Sequence, residues 1–289
     1  MTETQAQEYL RNVTRIHVYQ ALTNLSLWMP VWIVFLATER HLSLTQITVL
    51  TGISWTMVAL GEVPTGALAD AYGRRFSVGL GVVLAAAGIV LFGLLPSYLG
   101  LLSALILWSA GLALMSGADM AILYDSMQAA GRVAEYPRMA GRSFAVIQVS
   151  QALAGVAGGL LGSLRLDLPL FVTSGLMVLA LLVVRRIAEP PVDRAPGTRY
   201  AATLRAAARV VVQRRALRYL VLFTALFSGV AWLLTFVLFQ PYVVDHSLEV
   251  GWVGILFTLL RGAGTCGSLL GHRVARRLPA RVALWTLPV

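Results

Sequence analysis

Four ionisable residues interrupt or end stretches of sequence that are otherwise apolar: Glu62, Asp119, Asp125 and Arg261. A charge at the centre of a lipid bilayer costs about 2.5–3.5 kcal/mol, so each needs a partner, a proton or a water-filled cavity. Arginine keeps its proton, which makes Arg261 a fixed positive charge in need of a counter-ion. If Arg261 neutralises one acid, the other is left unpaired in a low-dielectric setting and can carry a proton. Glu62, Asp119 and Arg261 are therefore a candidate proton and substrate site. The alternative is that both acids make helix–helix hydrogen bonds that only stabilise a bundle. Asp119 lies six residues before Asp125, a rotation of about 240° on a helix, so the two face different surroundings. Asp125 falls at the end of its stretch, level with Arg74 and Arg75, where a structural ion pair is expected. His17, His41, His246 and His272 form no metal-ligand pattern, and Cys266 is the lone cysteine. No metal site, cofactor or enzymatic nucleophile–base pair is expected.

The elements that must hold these side chains are transmembrane helices. Of 289 residues, 58% are hydrophobic and 12% charged, and the mean hydropathy is +0.76. An ordinary soluble domain carries roughly 25% charged residues, and a water-soluble globule of this composition would expose too much apolar surface. A span needs about 20 largely apolar residues. Windows at 16–37, 44–69, 76–95, 99–125, 139–163, 168–187, 217–240 and 249–271 meet that length, and another begins near Ala280. The expected fold class is all-α: a polytopic membrane helical bundle with eight complete spans and the start of a ninth. The polar opening, residues 1–15, contains Glu3 and Glu8 and does not read as a signal peptide.

Orientation comes from the loops. All 23 basic residues are arginines, and with the N-terminus inside only Arg40 and Arg165 fall outside, with Arg261 inside a span. Excess positive charge marks cytoplasmic loops, so a multi-pass protein of the cell membrane with a cytoplasmic N-terminus is expected, surrounded by lipid. The net charge of +10 then needs no nucleic-acid partner, because the loop from Arg185 to Arg218 carries nine arginines and two acids. Within that loop Leu204, Ala208, Val211 and Val212 recur at helical spacing beside Arg205 and Arg209. This describes either an amphipathic helix on the membrane face or a plain basic connector.

The second span ends in Gly66-Ala67-Leu68-Ala69-Asp70-Ala71-Tyr72-Gly73-Arg74-Arg75. This resembles the signature loop of the major facilitator superfamily, which lies between helices two and three at the inner face. A second, looser copy, Gly267-Ser268-Leu269-Leu270-Gly271-His272-Arg273, leads to Arg276-Arg277 after the eighth span. The resemblance covers the whole chain and implies a twelve-helix fold built from two repeated halves. It implies an N-terminal six-helix half at 1–187, a cytoplasmic basic linker at 188–216 and a partial second half at 217–289. Against that pattern the chain reads as truncated in its second half. Gly66, Asp70, Gly73, Arg74, Arg75 and Asp125 become the expected inner-gate motif.

Ser116-Gly117-Ala118-Asp119-Met120-Ala121-Ile122-Leu123-Tyr124-Asp125 is similar to a fourth-helix run of bacterial members, and Gly155-Val156-Ala157-Gly158-Gly159 to the glycine-rich motif of exporter-type antiporters. The usual proline of that motif and the usual fourth-helix arginine are missing. Gly155/Gly159 and Gly267/Gly271 are small-xxx-small pairs, which the resemblance places on helices five and eight, packed together between the halves. Pro30 and Pro64 remove backbone donors within spans and either kink them or are tolerated. Trp28, Trp32, Trp108 and Trp232 either line an apolar cavity or face lipid.

The resemblance implies a secondary active transporter, not an enzyme, moving a small-molecule substrate by alternating access. Proton-coupled export of a hydrophobic or amphipathic compound is the leading expectation. A sugar or metabolite symporter and a truncated, non-transporting remnant are the alternatives.

Overall fold

The computed structural model of this chain describes residues 3–191, 209–232, 240, 251–259 and 262. Helix dominates, and there is no strand among the described residues. The elements are α1 (Glu3–Asn24), α2 (Trp32–Thr38), α3 (Leu44–Tyr72), α4 (Arg74–Leu94), α5 (Tyr98–Met115) and α6 (Ala118–Ala129). After a 3₁₀ turn at Val133–Glu135 come α7 (Tyr136–Leu164), α8 (Leu168–Val184) and α9 (Arg215–Trp232). Residues 251–259 are also helical. Arg261, Gly267, Gly271, the second copy of the motif, the ninth span and most of the linker lie outside the described residues.

Helix starts follow local chemistry. Ser43 and Gln46 form a capping box at the head of α3, with Ser43 N–H donating to Gln46 Oε1 at 2.9 Å. Ser97 caps α5 by accepting the Gly100 N–H at 3.1 Å. The polar opening is not a separate tail: α1 runs through it, with Glu8 accepting from Arg15 at 2.6 Å and Arg11 at 3.3 Å on the outer face. The hydrogen bond from Arg15 is the main reason the Glu8 carboxyl is held below its usual pKa.

The expected spans are revised in two places. The first is not one helix: α1 stops at Asn24, residues 25–31 turn, and α2 resumes at Trp32. Pro30 lies in that break, where its missing N–H and fixed φ disfavour continuous helix. The fourth is also divided, at Ser116–Gly117, where Gly117 takes φ 73° and begins α6. Pro64, by contrast, is carried inside an unbroken α3. By length and composition, Leu44–Glu62, Arg74–Leu94, Tyr98–Ala129 and Val133–Leu164 are long and apolar enough to cross a membrane. Leu168–Val184 and Leu217–Phe227 are shorter apolar helices, so the described residues bear out only part of the expected eight spans.

The core sits where α4 meets α5 and α8, with α1 crossing α6, α7 and α8. Glycines set the closest approach. A Cβ at Gly88 would lie 2.6 Å from the backbone nitrogen of Trp108, and one at Gly111 2.5 Å from that of Ala85. Side-chain bonds lock the same helices: the Ser54 and Ser109 hydroxyls meet at 2.8 Å, and Ser77 donates to the Leu114 carbonyl at 2.9 Å. The outer faces present Leu60, Leu153, Leu160 and Leu182 exposed, an arrangement unfavourable in water and favourable in lipid.

Candidate functional site

Two sites emerge, one at an end of the bundle and one at its centre. The end site is built on the α3–α4 turn. Gly73 closes α3 and opens α4 with φ 106°, a conformation that favours glycine, and its N–H donates to the Ala69 carbonyl at 3.0 Å. Arg74 then pairs with Asp125 of α6. Arg75 turns the other way, its guanidinium donating to the Ile187 carbonyl at 3.0 Å. Asp70 and Gly66 line an adjoining cleft of 480 Å³ together with Glu62 and Arg74. Asp125 is thus placed against the motif, whereas Asp70 faces the cleft with no ion pair among the described residues.

Two residues of this site escaped the sequence reading. Glu189 accepts the Arg74 and Arg75 backbone N–H groups at 2.8 and 2.9 Å. It is a cap supplied from outside the helix, where Gly73 offers no side chain. Asn12 is fully buried. Its amide donates to Ser126 Oγ at 3.0 Å and the Ala188 carbonyl at 2.8 Å, and its oxygen accepts the Ala188 N–H at 3.0 Å. The signals were faint: an acid before Pro190-Pro191, and an asparagine ahead of the first apolar window. Replacing Glu189 by alanine leaves two N–H groups without their cap. The expected result is a loss of about 1 kcal/mol, read as a lower thermal midpoint in detergent.

The acids proposed to lie in the interior separate. Glu62 is exposed and lines the 480 Å³ cleft. Asp119 instead faces α1. Its carboxylate accepts Gln20 Nε2 at 2.8 Å and the Met120 N–H at 2.7 Å. It occupies the first turn of α6, which begins at the Gly117 break, so the backbone itself supplies positive potential there. No arginine forms an ion pair with Asp119 among the described residues. Asp119 and Asp125 do face different neighbours, α1 in one case and the α3–α4 turn in the other.

The central site is a cavity of 300 Å³. Its wall includes Trp28, Trp32, Trp55 and Trp108, with polar groups from Thr51, Asn24 and Gln151. The indoles pack edge to face: Trp28 on Trp108 at 5.4 Å and Trp55 on Trp108 at 6.0 Å between ring centroids. Gln151 reaches across from α7 to donate to Asn24 Oδ1 at 3.2 Å. Phe257, on the helical residues 251–259, also lines the cavity. The space therefore lies between the helices α1–α8 and residues 251–259. Mostly apolar walls with a few polar groups are the usual makeup of a small-molecule site.

That segment meets α7 through glycine. A Cβ at Gly159 would lie 2.8 Å from Gly254 Cα and 3.0 Å from the Gly251 carbonyl oxygen, while Thr258 donates to the Ala152 carbonyl at 2.9 Å. Gly155 and Gly159 thus pack on Gly251 and Gly254 at this level, a pair the sequence reading did not single out.

Residues 19–287 match the Major Facilitator Superfamily. No curated protein sequence matches the chain. In fold it is similar to the crystal structure of a bacterial homologue of the human lysosomal transporter Spinster in an inward-facing, unoccupied conformation. The TM-score is 0.75 at 19% identity, covering 97% of this chain and 64% of that one. The inward-facing, occupied structure of such a homologue gives 0.72 at 19% identity, covering 97% and 63%. The chain thus spans just under two thirds of the length of these solved proteins. With apolar membrane-length helices, a helix-capped Gly-Arg-Arg turn and a match over nearly its whole length, this multi-pass membrane protein belongs to the major facilitator superfamily.

Proposed function

We propose that the chain works in secondary active transport, carrying a small molecule across the membrane by alternating access. The observation that supports this most directly is the aromatic cavity between the first six spans and residues 251–259, because a site shared by two bodies opens to either side as they rock. In this reading residues 1–187 are the first half, 188–216 the cytoplasmic linker and 217–289 the beginning of the second half, with the N-terminus inside the cell. The cargo is hydrophobic or amphipathic, matched to four indoles and a few amide and hydroxyl groups, and it is exported in exchange for protons. Asp119 is the proton carrier of choice: a carboxylate partnered by an amide and a backbone N–H, with no arginine beside it among the described residues. Glu62 is the second candidate.

The test is movement of ethidium, a fluorescent lipophilic cation, in everted membrane vesicles containing the protein, driven by an imposed pH gradient. Asp119→Asn is expected to reduce gradient-driven accumulation at least about tenfold, on the scale of losing a required proton-transfer group. Gradient-driven transport that survives in both Asp119→Asn and Glu62→Gln would end the proton-carrier reading. No gradient-dependent movement in the parent would count against export of this class of cargo.

A further inference from the structure

The break in the first span exposes backbone groups at membrane depth, and they must be satisfied there. Three of them are satisfied by side chains from elsewhere. The Leu27 N–H donates to Thr173 Oγ1 of α8 at 3.0 Å. The Ile33 N–H donates to Gln240 Oε1 at 3.1 Å, and Gln240 Nε2 donates to the Met29 carbonyl at 3.0 Å. Gln240 is fully buried. Its single amide thus bridges the two sides of the break, using one donor and one acceptor for one acceptor and one donor. On the next turn of chain, Gly158 of α7 leaves the room into which the Leu27 carbonyl fits.

The two partners differ in where they come from. Thr173 belongs to the same six-helix region as the break and stays with it when the halves move. Gln240 follows α9 and belongs to the other half. Asn12, at the Arg74–Asp125 end, lies 12 residues before Asn24, about 18 Å along the helix, so the break lies well removed from the motif end. We propose that Gln240 is a positioning residue of the transport cycle. Its side chain clamps the second half onto the broken first span and holds the cavity shut on the side of residues 25–31. Opening that side breaks both Gln240 bonds at once and admits water to the Met29 carbonyl and Ile33 N–H, while the Thr173 bond persists. The proposal rests on the alternating-access reading and adds the contact that sets its equilibrium.

The experiment measures access, not transport, and so needs no known cargo. A single cysteine replaces Leu112 in the cavity wall, with Cys266→Ser removing the native thiol, and a membrane-impermeant maleimide is applied from each side of the membrane. Gln240→Met keeps the volume and removes both bonds. It is expected to raise labelling from the side of residues 25–31 roughly tenfold and lower it from the other side, the scale of two ordinary hydrogen bonds. Gln240→Asn, one methylene shorter, should fall between, and it serves if the methionine variant does not fold. Thr173→Val should leave the labelling ratio unchanged while lowering the thermal midpoint. A folded Gln240→Met or Gln240→Asn protein with the parent ratio overturns the clamp. Asp125→Ala, at the opposite end, separates the two ideas. If it shifts the ratio and the Gln240 variants do not, the clamp alone fails. If the ratio responds to none of these variants, alternating access itself fails.

Discussion

Asp125→Ala is expected to destabilise the protein by about 3 kcal/mol, the usual cost of removing one partner from a buried pair. The side chains of Arg74 and Asp125 are 23% and 7% exposed, so the guanidinium left behind is only partly in water and no longer neutralised. The large effect belongs to the orphaned charge more than to the pair. Arg74→Ala/Asp125→Ala should therefore lose clearly less than the two single changes summed. Denaturant titration in detergent, followed by tryptophan fluorescence, measures all three variants. A loss under about 0.5 kcal/mol for Asp125→Ala would class the pair with solvated surface bridges. The change is local to the end of the bundle where Glu189 caps α4 and Asn12 ties α1 to Ala188. It should therefore disturb the seat of the linker as well as the turn.

Gly159→Val should prevent residues 251–259 from seating on α7. The atoms that a side chain would meet are Gly254 Cα at 2.8 Å and the Gly251 carbonyl at 3.0 Å, and backbone cannot rotate aside as a side chain can. Overpacking of this kind costs up to about 3 kcal/mol, and here the helices can relieve it by parting. Cysteines introduced at Ala152 and Thr258 report the outcome, since those residues are hydrogen-bonded at 2.9 Å in the parent. Cross-linking should drop about fivefold or more in Gly159→Val, given a clash of that size. Gly175→Val on α8, where a Cβ meets nothing within 4 Å, should cross-link like the parent. Equal yields from both would mean that the glycine contact does not govern docking.

The motif end was legible in the sequence because its parts are close together. Gly66 to Arg75 occupies ten consecutive residues, and Gly73 announces its turn by type alone. Glu189 was not legible, since its partners lie 115 and 114 residues away and an acid before two prolines has several possible uses. The broken first span was only half visible. Pro30 marked a weak point, but whether a helix kinks or stops depends on what receives its free backbone groups, and Thr173 and Gln240 do so from distant positions. The surroundings of Glu62 were not legible for a related reason. Depth along a helix can be counted from the sequence, but the side of α3 that its neighbours cover cannot.

Residue types and spacing alone specify the class of molecule, the approximate helices and the turn chemistry at Gly73. Apolar length, glycine and proline geometry and the clustering of arginines act locally and need no partner. Which acid faces α1 and which pairs with Arg74, the packing of Gly155 and Gly159 on Gly251 and Gly254, and the amide that spans the break near Pro30 follow from the assembled fold. Those outcomes are pairings across more than fifty residues of chain. They depend on helix rotation and on shape at contact, which a linear pattern of residue types leaves open.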